Sequence, residues 1–240
     1  MKLLIAADKT RFHNLKQFAD ELVKYGIEYK LIDDSDIYDA PNILHKYSRW
    51  FKTPKKFQKI ITEFKPDAIF TERYSRFSLL VIKHNIPLWI YMGGDHWTEI
   101  KQFYAKTKIS TFRKIELWYK NKISEKCFRE SEIIFVDDEY MKKIVKNRFP
   151  NKKIGLMFQG IKESEWIENE KMVLKHPCVG LLQRANVWGK TEEMLILPKI
   201  IEAFPEVTFY WAGDGQYRNE ILAKLKKYKN FEWLGSLEYP

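Results

Sequence analysis

Three groups of residues in this chain have types and spacings that could do chemistry. The first is Arg184 and Lys190, followed by Gly213-Asp214-Gly215. Two cations and a loop whose glycines let the backbone come close to a ligand suit an anionic partner. The second is Asp95 and His96, which follow Gly93-Gly94 directly and put a carboxylate and an imidazole where two glycines free the backbone. The third is looser. Glu72 and Arg73 end an apolar run, and His13 stands at the start of a helical pattern. Plain structural alternatives exist for several of them. Asp95 could cap the following helix with Trp97 stapling it, and His13 could be a solvent-facing residue of a helix start.

These groups need elements to hold them. Cys178–Leu182 reads as a buried strand, Val207–Ala212 as a second and Phe231–Leu234 as a third, with helical patterns at Leu195–Phe204 and Tyr217–Lys227 between them. That is β-α-β-α-β, the unit of a doubly wound sheet. Ahead of it, strands are expected at Lys2–Ala7, Ile27–Ile32, Ala68–Thr71, Leu88–Met92, Ile133–Val136 and Ile154–Met157, separated by helical stretches. Thr10 is placed to cap the first helix, Gly26 to end it, and Asp137 or Asp138 to cap the helix after Val136. In such sheets ligands sit beyond the carboxyl ends of the strands. Most of the candidate residues fall at such ends.

Composition narrows the partners. The chain has 240 residues, enough for one large domain or two modest ones, and a net charge of +10 that favours nucleotides, nucleic acid or acidic lipid headgroups. Aromatic content of 15% argues against disorder. Cys127 and Cys178 lie far apart without CxxC spacing, as expected of buried free thiols, and the five scattered His suggest no metal site. The amino terminus is charged too soon for a signal peptide, and no run of apolar residues is long enough to span a bilayer. A cytoplasmic location is expected, in solution or at a membrane surface.

Two stretches are basic and aromatic together. Residues 45–60 carry six cations and no acid, interleaved with Tyr47, Trp50, Phe51 and Phe57. Residues 99–130 carry nine Lys or Arg against four Glu, with Phe103, Tyr104, Phe112, Trp118 and Tyr119. The plain reading is a solvated helix face with its aromatics in the core. The functional alternative is a patch facing anionic lipid.

The ordered set of strand, Arg184, Lys190, helix, strand ending in Gly213-Asp214-Gly215, and the strand of the Asn230–Gly235 segment resembles the carboxyl-terminal half of family 4 glycosyltransferases. The Gln159-Gly160-Ile161 turn resembles the one that ends their amino-terminal domain. Here the order is Gly189-Lys190 where the family has Lys-Gly, and Arg184 stands four residues after Gly180 where the family has Arg next to a strand Gly. The resemblance implies an α/β, GT-B-like fold with two Rossmann-like domains, the second incomplete. Residues 1–161 would form the amino-terminal acceptor-side domain, 162–171 a linker, and 172–240 the first part of the nucleotide-sugar domain.

It further implies transfer of a hexose, with retention, from a UDP- or GDP-sugar to a saccharide or lipid-linked acceptor, with no cofactor or metal required. Arg184 and Lys190 would hold the donor diphosphate, and Gly213, Asp214 and Gly215 would line it. Asp95 and His96 would act at the reaction centre, and His13, Glu72 and Arg73 would contact acceptor. The family's donor domain also carries a Glu pair that does not occur before Pro240, so a partial chain of reduced or absent activity is expected. Two other readings stay open. One is a non-catalytic two-lobed protein that binds a nucleotide or anion. The other, given less weight because no nucleic-acid partner is expected, is a nucleic-acid-binding protein using the basic stretches.

Overall fold

A computed structural model describes residues 1–9, 12–37, 54–72, 76–106, 110–158, 160 and 173–237. The chain divides into two compact units, Met1–Ile161 and Lys162–Pro240. The linker expected at 162–171 and Arg73 lie outside the described residues, as do the expected cap Thr10 and most of the basic run 45–60.

The first unit is built on a parallel sheet. Its strands are β1 (Lys2–Ala6), β2 (Glu28–Ile32), β3 (Ala68–Glu72), β4 (Leu88–Met92), β5 (Ile133–Val136) and β6 (Lys153–Leu156). They lie in the order β2-β1-β3-β4-β5-β6, every neighbouring pair parallel. Alternate side chains of a strand point to opposite faces, so a strand covered on both sides must be apolar throughout. The sequence of β1 fits that demand. Leu4 and Ala6 join the core with Ile69, Ile90 and Phe128, while Leu3 and Ile5 join Phe70, Tyr91 and Leu15 on the other face.

Helix α1 (Phe12–Val23) covers the second of these faces through Leu15 and Ala19. The short α2 (Asp34–Ile37) follows β2, and α3 (Lys55–Phe64), α4 (Arg76–Lys83), α6 (Thr111–Glu130) and α7 (Glu139–Arg148) cover the first face. Between α4 and α6 runs α5 (His96–Lys106). The stretch expected as one long helix over 99–130 is thus two helices. Of the two candidate caps after β5, Asp138 does the capping, its Oδ1 accepting from the Met141 N–H at 2.7 Å.

The second unit has β7 (Cys178–Leu182), β8 (Thr208–Ala212) and β9 (Phe231–Gly235), parallel and in that order. Phe209 and Trp211 of the central strand face a core with Leu197, Ile201, Ile221 and Leu225. The expected helix over 195–204 is broken up. Helix α8 (Trp188–Glu192) passes through a 3-10 turn (Glu193–Ile196) into α9 (Leu197–Ala203), whose first turn accommodates Pro198 because helix N-termini need no N–H there. Helix α10 (Arg218–Leu225) precedes β9.

A further expectation is corrected. β7 is an edge strand rather than a buried one, with Leu182 77% and Val179 41% exposed. An apolar run of five residues has the composition of a buried strand, but only pairing decides how many neighbours it has. β8 is its sole partner among the described residues.

Phe128 shows how tightly the first core is built. It is wholly buried, with the rings of His96, Trp97 and Phe149 at 5.7, 5.5 and 6.5 Å. Phe128→Ala should destabilise this unit by about 3–5 kcal/mol through lost burial and the cavity left behind. Urea denaturation followed by circular dichroism measures it, and a change below about 1 kcal/mol would contradict this packing.

Candidate functional site

The strand order places one crevice without reference to any ligand. From β1 the chain moves to β2 on one side and, through β3, to the other, so the connections after β1 and β3 part at the carboxyl edge. Open α/β sheets bind ligands at such a switch point. A cleft of 530 Å³ lies there, lined by Ala6, Ala7, Asp8, Lys9, Asp33–Ser35, Glu72 and Phe77. Its wall holds four carboxylates and one ammonium in a chain of net charge +10. Such a wall repels polyanions and offers acceptors to hydroxyl or ammonium groups.

Asp33 is the anchor of that wall. It is buried, and its Oδ1 accepts from the N–H and Oγ of Ser35 at 2.6 and 2.5 Å. The bond from the Ser35 hydroxyl, more than any other influence, holds its carboxyl below the usual carboxylate range. Of the predicted acceptor contacts, Glu72 lies in this wall. His13 lies in α1 with its side chain outside the described structure. Asp8, Lys9 and Asp33 were not foreseen. The Asp33-Asp34-Ser35-Asp36 run directly after a strand was the available signal.

Asp95 and His96 sit at the end of β4. Asp95 caps α5. Its Oδ1 accepts from the N–H groups of Trp97 and Thr98, both at 3.1 Å, and its Oδ2 from the Thr98 hydroxyl at 2.6 Å. His96 is buried, its Nε2 2.9 Å from Ser124 Oγ on α6. Trp97 donates to Glu125 Oε1 at 2.7 Å, and Arg148 donates to the same oxygen while its guanidinium covers the Trp97 ring at 4.9 Å. The Gly93–Trp97 segment therefore locks α5, α6 and α7 together. Gly94, at φ +105°, makes the turn that allows it. Asp137 at the neighbouring β5 end accepts from the Tyr91 hydroxyl.

In the second unit Arg184 and Lys190 are both exposed, Arg184 after β7 and Lys190 in α8. Gly213 and Gly215 have a structural task. A Cβ on Gly213 would stand 2.0 Å from the Gln183 carbonyl oxygen, and one on Gly215 would stand 2.5 Å from that of Ala185. The two loops are tied by Ala185 N–H to the Asp214 carbonyl and Tyr217 N–H to the Ala185 carbonyl, each 3.0 Å. Trp188 packs edge-on against Tyr217 at 5.2 Å, fixing α8 to the same edge.

Asp214 accepts from the Gly215 N–H at 2.7 Å, and Arg218 donates to both its oxygens at 3.3 Å while lying 5.3 Å over the Trp233 ring. Arg218 is a third cation at this edge that sequence reasoning missed, although its place four residues after Asp214 at a helix start was visible. No group of three or more His, Cys, Asp or Glu placed to hold a metal ion occurs among the described residues. Burial pushes the Cys127 thiol up to about 12, so it stays protonated and inert at neutral pH.

Neither a family model nor a curated protein sequence matches the chain. Solved structures do. It is similar to a UDP-GlcNAc 2-epimerase from Neisseria meningitidis bound to UDP-GlcNAc, at 14% identity and a TM-score of 0.59 over all of this chain and 73% of that one. A UDP-N-acetylglucosamine 2-epimerase from Rickettsia bellii aligns at 10% identity and a TM-score of 0.53, over all of this chain and 70% of that one. A lipopolysaccharide outer core galactosyltransferase in its apo form aligns at 10% identity and a TM-score of 0.51, over 99% and 69%.

Two predictions follow from this geometry. Gly213→Ala forces a backbone clash and a strained φ of +157°, and should destabilise the second unit by at least about 3 kcal/mol in urea melts followed by tryptophan fluorescence. A melt like that of the parent chain would mean the loops do not touch as described. For Asp33, a folded pKa below the unfolded one means its contribution is complete above the unfolded value of about 3.8 and fades as pH falls through the folded one. Asp33→Asn should therefore lower stability by a constant amount from pH 7 down to about 4, with the difference shrinking below that. A difference that instead grew on acidification would reverse the sign. At the identities found, the likenesses fix the architecture: an α/β chain with a glycosyltransferase-like GT-B fold, its parallel sheets forming two Rossmann-like units.

Proposed function

We propose that this chain is a nucleotide-sugar-dependent glycosyltransferase, with the donor on the second unit and the acceptor on the first. The observation that carries the reading is the division of charge between two strand edges of one protein. Arg184, Lys190 and Arg218 line the edge of the second unit. Carboxylates line the switch-point cleft of the first. The cationic edge suits a donor diphosphate, where Lys190 and Arg184 would offset the charge that grows as the glycosidic bond breaks. The acidic cleft suits the hydroxyls of a saccharide or lipid-linked glycan, with Glu72 accepting from one of them.

Gly213–Gly215 would shape the donor loop, and Asp214 would hold Arg218 in place. Asp95 would act from the β4 end on the acceptor hydroxyl, with His96 positioning it through α6. The resemblance to family 4 enzymes favours retention, a UDP- or GDP-hexose and no required metal. It also favours residues 1–161 as acceptor side and 172–240 as part of a donor domain.

A second reading has its own support. Both 2-epimerases align with the whole of this chain, and one was solved with UDP-GlcNAc. A nucleotide-sugar epimerase would use the same cationic edge without an acceptor. Chromatography of a UDP-sugar after incubation separates the two readings. Release of UDP that depends on an added glycan means transfer, and an altered sugar still attached to UDP means epimerisation.

Loss of a charge-assisted bond to phosphate is worth about 1.5–3 kcal/mol, so Lys190→Ala should weaken UDP or GDP binding roughly 10- to 100-fold. Calorimetric titration measures it directly. Unchanged nucleoside-diphosphate affinity in that variant would remove Lys190 from the donor site.

A further inference from the structure

Helix α6 uses its outward face in two ways along its length. Inward, its second half buries Ile123, Ser124, Cys127 and Phe128. Outward, its first half turns Phe112, Ile115 and Trp118 to solvent at 65%, 61% and 57% exposure, with Tyr119 beside them. Steps of three residues keep these side chains on one slowly drifting stripe, about 9 Å long at 1.5 Å per residue. The stripe continues as Lys122, Lys126 and Arg129, all exposed, and Lys114 lies exposed next to Ile115. Lys122 Nζ sits 5.8 Å from the centre of the Trp118 ring, and Lys126 pairs loosely with Glu130 at 3.8 Å. Surface apolar residues normally occur singly, so a row of three large ones bordered by cations calls for a partner.

We infer that this stripe docks the protein on the surface of an anionic lipid bilayer. Phe112, Ile115 and Trp118 enter the boundary between headgroups and acyl chains, and Lys114, Lys122 and Arg129 meet lipid phosphates. Charge selects the occupant. A second copy of the chain would bring the same lysines against each other across a two-fold axis, whereas acidic headgroups oppose them. Aromatic rings next to long cationic stems also match the graded polarity of a bilayer interface. Among the described residues no helix is long and apolar enough to cross a membrane, so the contact is in the plane of the surface. The docking surface stands apart from the proposed transfer reaction and does not depend on it.

The test is co-sedimentation of the 240-residue chain with vesicles of phosphatidylcholine alone and of phosphatidylcholine mixed with phosphatidylglycerol. Binding should occur on the mixed vesicles and weaken with added salt. Phe112→Ser with Trp118→Ser should lower the partition coefficient about tenfold or more, and Lys122→Glu about fivefold or more. These side chains are exposed, so the fold should survive, and circular dichroism checks it; Ile115→Lys serves as a second variant. Equal binding to neutral vesicles, no vesicle binding, or wild-type partition in the double variant would each overturn the proposal. So would a dimer in sedimentation equilibrium that the double variant abolishes, which would assign the stripe to a second copy.

Discussion

A parallel sheet imposes one constraint from which most of this structure follows: its strands all end at the same edge, and its two faces both need covering. In the first unit the second demand is met by helices on either side, which is why Leu3, Leu4, Ile5 and Ala6 are all buried in succession. The first demand gathers residues at the ends of β1, β2 and β3 around one cleft, although together they span more than sixty positions of sequence. Chemistry-bearing residues converge there because the strands cannot end anywhere else. In the second unit Phe209 and Trp211 are covered on one face, while on the opposite face Tyr210 and Ala212 of the central strand are buried and Gly180, Leu182 and Glu232 of the flanking strands are exposed.

Within that frame, charge is distributed against the average. A chain of net charge +10 would be expected to show cations at any opening. Its first unit instead places Asp8, Asp33, Asp34 and Glu72 at the switch point with Lys9 as their one cationic companion in the cleft lining. Fixed carboxylates in a crevice select by sign before any shape is considered, because local field and not net charge governs what approaches closely. Arg184, Lys190 and Arg218 make the opposite selection at the other edge. Net charge alone pointed only to anions.

The glycines and the Asp95 loop show how one residue type serves two ends. Gly213 and Gly215 looked like openings for a ligand. Their immediate neighbours are the backbone atoms of Gln183 and Ala185, so they hold the two loops at this edge of the second unit in contact. Asp95 caps a helix, and His96 is bonded to Ser124 across two helices. A cap and a buried imidazole fix where the end of β4 stands, and any chemistry at that edge inherits its geometry from them.

How much of this was legible in the sequence depends on the range of the interaction. Strands such as Leu88–Met92 and Ile133–Val136, the end of the first helix at Gly26 and a cap at Asp137 or Asp138 could be read, because apolar runs, left-handed turns and caps are set by residues a few positions apart. The β-α-β-α-β order was legible for the same reason, whereas the glycosyltransferase-like fold was implied by the resemblance carried by Arg184, Lys190 and Gly213-Asp214-Gly215. Nothing local could show that Cys178–Leu182 is an edge strand, that Asp8 and Asp33 share a wall with Glu72, or that Phe112 and Trp118 face outward while Phe128 faces in. Pairing order, crevice membership and helix rotation are settled by side chains distant in sequence competing for the same core, and only the assembled sheets decide that competition.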